Sequence, residues 1–177
     1  MEYAKRRAAV ILTNLLYAVA GIIVILLGQT MLHAALAIAL GLLTGGSWRF
    51  HETLKKADLM LDRLGMMFVG ATLAGFALHA AAGGDPSWWL IGEIIVVSLF
   101  AMFITEVNSF KWTGIFAVLA LVGAALVAGW WVLLPAGLFA VALLVRLVLD
   151  PGDTTWGHAV WHVLVALAVA TTVYVMR

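Results

Sequence analysis

The sequence predicts an all-α, polytopic membrane fold, a single seven-helix transmembrane bundle over residues 1–177, and three observations carry that prediction. Hydrophobic residues make up 65% of the 177 and charged residues only 11%, a balance far from that of a soluble domain. Mean hydropathy is +1.11. Apolar runs follow one another almost from end to end, each close to the about 20 residues needed to cross a hydrocarbon core about 30 Å thick.

In chain order the predicted spans are 8–28, 31–49, 62–82, 87–107, 112–130, 131–149 and 155–176. The first follows Lys5, Arg6 and Arg7 directly and is long enough to stay as an anchor rather than leave as a cleaved signal. The second carries Gly41-x-x-x-Gly45, a candidate close-packing face. Between the second and third lies the longest polar stretch, Arg49 to Arg63, in which Leu54, Ala57 and Leu61 suit a short interfacial helix. Nothing charged separates Lys111 from Arg146, yet one helix of that length would overshoot the bilayer at about 1.5 Å per residue. The break between the fifth and sixth spans therefore falls near Gly129, Trp130 and Trp131, where tryptophans suit the interface and Pro135 suits a first helical turn. Asp150-Pro151-Gly152-Asp153-Thr154 then forms a turn that caps the seventh span.

The basic residues set the orientation. Of ten, only Arg177 falls on one face; Lys5, Arg6, Arg7, Arg49, Lys55, Lys56, Arg63, Lys111 and Arg146 share the other. That asymmetry puts the amino terminus in the cytoplasm and the carboxyl terminus outside, in the plasma (inner) membrane of a prokaryote. A net charge of +1, with its basic residues accounted for by orientation, gives no case for nucleic-acid binding. The absence of cysteine removes disulfides and thiolate ligands together.

Chemistry gathers at one face. Ser47 and His51 stand four apart at the end of the second span, His158 and His162 four apart at the start of the seventh, and Asp62 opens the third. Residues four apart on a helix share a face, and the end of an even span lies on the same side as the start of an odd one. Three imidazoles, a carboxylate and a hydroxyl are the ingredients of a catalytic Zn2+ site with a fourth position open to water. His33 and His79 fall on the far face and are excluded. Glu52, Asp58 and Asp153 read as solvated charges, Trp88, Trp89, Trp112, Trp130 and Trp131 as interfacial belts, and Glu93, within the fourth span, keeps an open role. Taken singly, Ser47 could bond a helix carbonyl and Asp62 could cap the third helix.

The run Gly46-Ser47-Trp48-Arg49-Phe50-His51-Glu52-Thr53-Leu54, followed by Leu61-Asp62, resembles the Gly-Ser-x-x-Phe-His-x-Thr-Leu…Leu-Asp signature of alkaline ceramidases. His158-Ala-Val-Trp161-His162 resembles the seventh-helix motif of the wider superfamily that also holds adiponectin receptors and haemolysin III, and Asn14 is similar to an asparagine the ceramidases carry. The acidic calcium-binding stretch of the animal ceramidases is missing here, with Arg7 about where one of its glutamates would stand, and the basic-residue rule gives the orientation of the adiponectin receptors.

The expectation is a zinc-dependent hydrolase of an acyl amide or ester of a membrane lipid. His51, His158 and His162 hold the metal, Asp62 is the general base and Ser47 helps to stabilise the oxyanion. Its partners are the bilayer and a ceramide-like or other acyl lipid. The competing reading is a membrane receptor or regulatory protein with a structural zinc. A channel would need polar groups across the whole bilayer, and two histidines on one face of one helix cannot serve as opposite axial ligands of a haem.

Overall fold

The computed structural model describes residues 2–28, 30–101, 106–149 and 156–177. Among them the chain is helical throughout: α1 (Glu2–Thr13), α2 (Leu15–Leu27), α3 (Met31–Thr53), α4 (Lys56–Ala82), α5 (Pro86–Ala101), α6 (Glu106–Ala128), a 3-10 turn (Gly129–Val132), α7 (Leu133–Val148) and α8 (Trp156–Val175). Helices satisfy their own backbone groups, which a bilayer requires of any segment that crosses it.

Five stretches among the described residues are long and apolar enough to cross a membrane: Ala4–Leu27, Met31–Thr53, Lys56–Ala82, Lys111–Val148 and Trp156–Val175. The expected seven spans differ from these in two places. The fourth corresponds to α5, whose apolar part, Pro86–Leu99, is short for a crossing, and residues 102–105 of that span lie outside the described set. The fifth and sixth form one apolar stretch of 38 residues. That stretch is interrupted at Gly129, in the left-handed region at φ 57°, and Pro135 sits in the first turn of α7 as expected. Thr113 and Leu121 before the break, and Phe139 and Leu143 after it, line the same cavity. A straight helix would hold Thr113 and Leu143 about 45 Å apart, so the chain folds back at Gly129.

The first span runs from α1 into α2 through Asn14, which keeps helical dihedrals at φ −61° and ψ −27° while its N–H bonds three residues back, to the Ile11 carbonyl. Thr13 Oγ1 donates to the Val10 carbonyl at 2.9 Å. The third helix of the chain starts on the Thr30 N-cap, whose side chain accepts from the His33 N–H.

Helix α4 runs through the centre, packed against α3, α5 and α6, and α8 packs against α7 and α2. The core joins Tyr17, Leu36, Leu40, Leu73, Ala77, Ala120 and Val169 across these elements. Large apolar residues such as Leu26, Leu126 and Leu147 point outward, as lipid-facing positions do.

Three sequence expectations fail around the α3–α4 connection. The polar stretch 49–63 is no separate interfacial helix; α3 continues to Thr53, α4 begins at Lys56, and Leu54 turns the chain in the left-handed region at φ 56°. Asp58 is therefore not a solvated charge. It is buried, paired with Arg49 Nε at 2.6 Å and accepting from Thr53 Oγ1 at 2.5 Å. The close approach between helices also uses a different glycine. Gly41 and Gly45 have open space where a Cβ would go, whereas a Cβ on Gly46 would meet the Leu61 carbonyl carbon at 2.9 Å and the Asp62 nitrogen at 3.0 Å. Gly46 thus presses the Ser47 end of α3 onto the Asp62 turn of α4. The turn and caps expected at 150–154, and Asp153 with them, lie outside the described residues, as does Gln29.

Candidate metal centre

The last turn of α3 and the first turns of α8 meet at the level of the α3–α4 connection. There His51, His158 and His162 each present a ring nitrogen, all within 4.8 Å of one another. It is the one such cluster among the described residues. The imidazoles are 1%, 5% and 1% exposed, and their ring centroids lie 4.8 Å (51 to 158), 5.5 Å (51 to 162) and 4.5 Å (158 to 162) apart.

One pair in the cluster already has the spacing of two ligands on a tetrahedral ion, while the widest pair, up to 4.8 Å apart, would have to close on binding. His158 Nε2 and His51 Nε2 are 3.2 Å apart, and two nitrogens about 2.0–2.1 Å from a tetrahedral zinc stand about 3.4 Å from each other. Among the described residues, these three histidines could together hold a metal ion.

The elements that bring the three together are identifiable. Helix α8 approaches the end of α7 closely because residue 157 is glycine: a Cβ there would stand 2.4 Å from the Leu149 carbonyl oxygen. Helix α3 is held from the amino-terminal side by Arg7, whose Nε donates to the His51 carbonyl at 2.8 Å and whose terminal nitrogen donates to the Glu52 carbonyl. A guanidinium on these carbonyls satisfies acceptors that end a helix and complements its dipole. Arg7, read from the sequence as an orientation marker, thus anchors the turn that carries His51.

His162 has a partner the sequence reading missed. Thr13 Oγ1 lies 3.2 Å from His162 Nδ1. That hydroxyl has one proton, already given to the Val10 carbonyl, so Nδ1 carries a proton and donates. The Val10 carbonyl also accepts from the His162 ring. The proton on Nδ1 leaves the Nε2 lone pair bare and aimed into the cluster, the arrangement in which an oxygen partner fixes a ligating histidine. Tyr17, one turn beyond Thr13, packs edge-on against His162 with ring centroids 5.4 Å apart.

Ser47 is buried one turn before His51 on the same side of α3. Asp62 is half-buried and stands two turns into α4 rather than at its cap, next to Gly46 and in electrostatic contact with Tyr17. It is not a member of the nitrogen cluster. His33 bonds Thr30 Oγ1 through Nδ1 at 2.7 Å and packs edge-on against Phe76, far from the centre. Glu93 is buried against Thr72 of α4, whose hydroxyl bonds its Oε1. Trp130 and Trp131 stack on each other and are exposed, as an interfacial belt would be.

A cavity of about 580 Å³ adjoins the centre between α4, α6, α7 and α8, with Tyr17 and Trp161 on its wall toward the histidines. Its lining is otherwise almost wholly apolar, with Lys111 and Thr113 the polar exceptions. Val118 and Leu143 line it and are also exposed on the outer surface of the bundle.

No protein-family model matches the chain, and no curated protein matches it.

Proposed function

We propose that this chain is a seven-crossing, zinc-dependent membrane hydrolase of the alkaline ceramidase kind, cleaving an acyl amide or ester of a lipid. The observation that carries the reading is the convergence of three buried histidines from α3 and α8 within 4.8 Å. Buried imidazoles gathered in a membrane protein are costly unless they have a task. The adjoining apolar cavity is of the size that holds a lipid-like ligand. Because Val118 and Leu143 belong both to its wall and to the outer surface, an acyl chain would enter from the side, between α6 and α7.

Zinc held by His51, His158 and His162 would supply Lewis acidity and bring the pKa of a bound water down toward about 7. Asp62 takes the proton as water attacks the acyl carbonyl and returns it to the leaving amine or alkoxide. The Ser47 hydroxyl donates to the developing oxyanion. Thr13, through Nδ1 of His162, fixes the ring that the reaction needs in place.

The test separates ligands from base in the full-length protein. Asp62→Asn preserves size and hydrogen bonding but cannot accept a proton, so zinc content should stay near one per chain while hydrolysis falls about 100-fold or more. Ser47→Ala should cost a comparable or smaller factor. Elemental analysis and fatty acid released from ceramide and simple acyl lipids are the measurements. Loss of zinc in Asp62→Asn would make the aspartate a ligand and favour a structural site in a receptor. Full activity with zinc retained would remove it as the base.

The site faces the cytoplasm in this reading, from the basic-residue asymmetry. Single cysteines placed at Lys56 and Gly84 report it: a membrane-impermeant reagent added outside should label position 84 alone. Labelling at 56 instead would invert the orientation.

A further inference from the structure

We propose that Arg146 opposes metal loading at the three-histidine centre by holding His158 in the tautomer that cannot ligate through Nε2. The inference rests on the metal reading above and concerns how that site fills. Arg146, in the last turn of α7, places Nη1 3.1 Å from His158 Nδ1. A guanidinium offers donors only. Nδ1 must therefore accept, and the proton of a neutral His158 ring sits on Nε2.

That nitrogen is the one 3.2 Å from His51 Nε2. With Arg146 in place the contact is a hydrogen bond from His158 to His51, and the proton occupies the position a metal would take. Metal entry needs both Nε2 lone pairs bare, so the proton must move to His158 Nδ1, where it would point at another donor.

The two ligands of α8 are thus held oppositely. His162 donates from Nδ1 to the Thr13 oxygen, which favours ligation; His158 accepts at Nδ1 from a cation, which disfavours it. A second seat for the guanidinium already exists, since its central carbon lies 5.9 Å from the Trp161 ring centroid, within the range of a cation–π contact. Movement of Arg146 fully onto that ring would release His158 and let the centre fill.

The experiment uses the full-length protein in detergent, stripped with a chelator and titrated with Co2+, followed by its visible absorption, and with Zn2+ against a chromophoric competitor. Arg146→Gln supplies an amide oxygen that can accept from His158 Nδ1, and its metal affinity should rise about tenfold or more, within the range set by partners behind a ligand. Arg146→Lys keeps a donor-only cation and should stay near the parent. Equal or weaker binding by Arg146→Gln overturns the proposal while leaving the metal centre standing. An equal rise in both variants also overturns it, because the packing of the side chain rather than its donor character would then be responsible. Absence of Co2+ binding in all three proteins overturns this proposal and the metal reading together. Nitrogen-15 spectra of the metal-free parent check the same point without any variant: His158 should carry its proton on Nε2, and a proton on Nδ1 would overturn the inference.

Discussion

Both ends of the bundle bury histidines near helix termini, and they use them differently. At one end His33 opens α3 and is served by Thr30, three residues earlier, with Phe76 against its ring. At the other, His51 closes the same helix and its ring meets that of His158, 107 positions away. A histidine satisfied by a near neighbour in sequence needs only a local turn, whereas one whose surroundings come from a distant helix depends on the whole bundle. The first arrangement is expected of an ordinary helix end; the second is expected where a ligand is to be held.

The largest effect should come from breaking the distant arrangement. On the proposed function, His162→Ala should abolish stoichiometric zinc and hydrolysis together. His33→Ala should keep zinc near one per chain, because its contacts lie with Thr30 and Phe76. Elemental analysis of the two purified variants makes the comparison, and equal loss of metal in both would show that the two ends are not independent.

A smaller effect should come from the glycines. Gly157→Ala forces a Cβ to within 2.4 Å of the Leu149 oxygen, so α7 and α8 must part beside His158. A loss of about 1–3 kcal/mol is the usual scale of overpacking, accompanied by weaker metal binding. Gly41→Ala meets nothing within 4 Å and should be neutral or slightly stabilising through helix propensity. Thermal unfolding in one detergent distinguishes them; equal destabilisation would remove the close α7–α8 approach as the cause.

How much of this was legible in the sequence can be judged residue by residue. Hydropathy marked the apolar stretches, and the expected seven crossings put His51, His158 and His162 at one end; the structure brings the three together, with five stretches among the described residues long and apolar enough to cross. What lies around the ring of helices is a different kind of information. Thr13 and Arg146 reach the histidines because α1 and α7 both pack beside α8, and no periodicity reports which helices are neighbours. Arg146 was accordingly read as a topological charge alone. Asp58 was misread because the polar stretch looked like a loop, while the Arg49 and Thr53 partners that bury it are supplied by the end of α3. The small-residue motif failed by one position: Gly45 and Gly46 are adjacent, but about 100° of helical rotation separates them, and only Gly46 meets α4.

If the proposed lipid ligand enters past the wall shared by Val118 and Leu143, concentration takes on a different meaning for this protein. A chamber reached from the flank of the bundle samples molecules already dissolved in the surrounding lipid. Its occupancy then follows the mole fraction of ligand within that two-dimensional solvent rather than its molarity in water, and supply is set by diffusion in the plane. A compound too sparingly soluble to be measured in buffer can still saturate such a chamber, and diluting it with inert lipid empties the chamber without changing the total amount present.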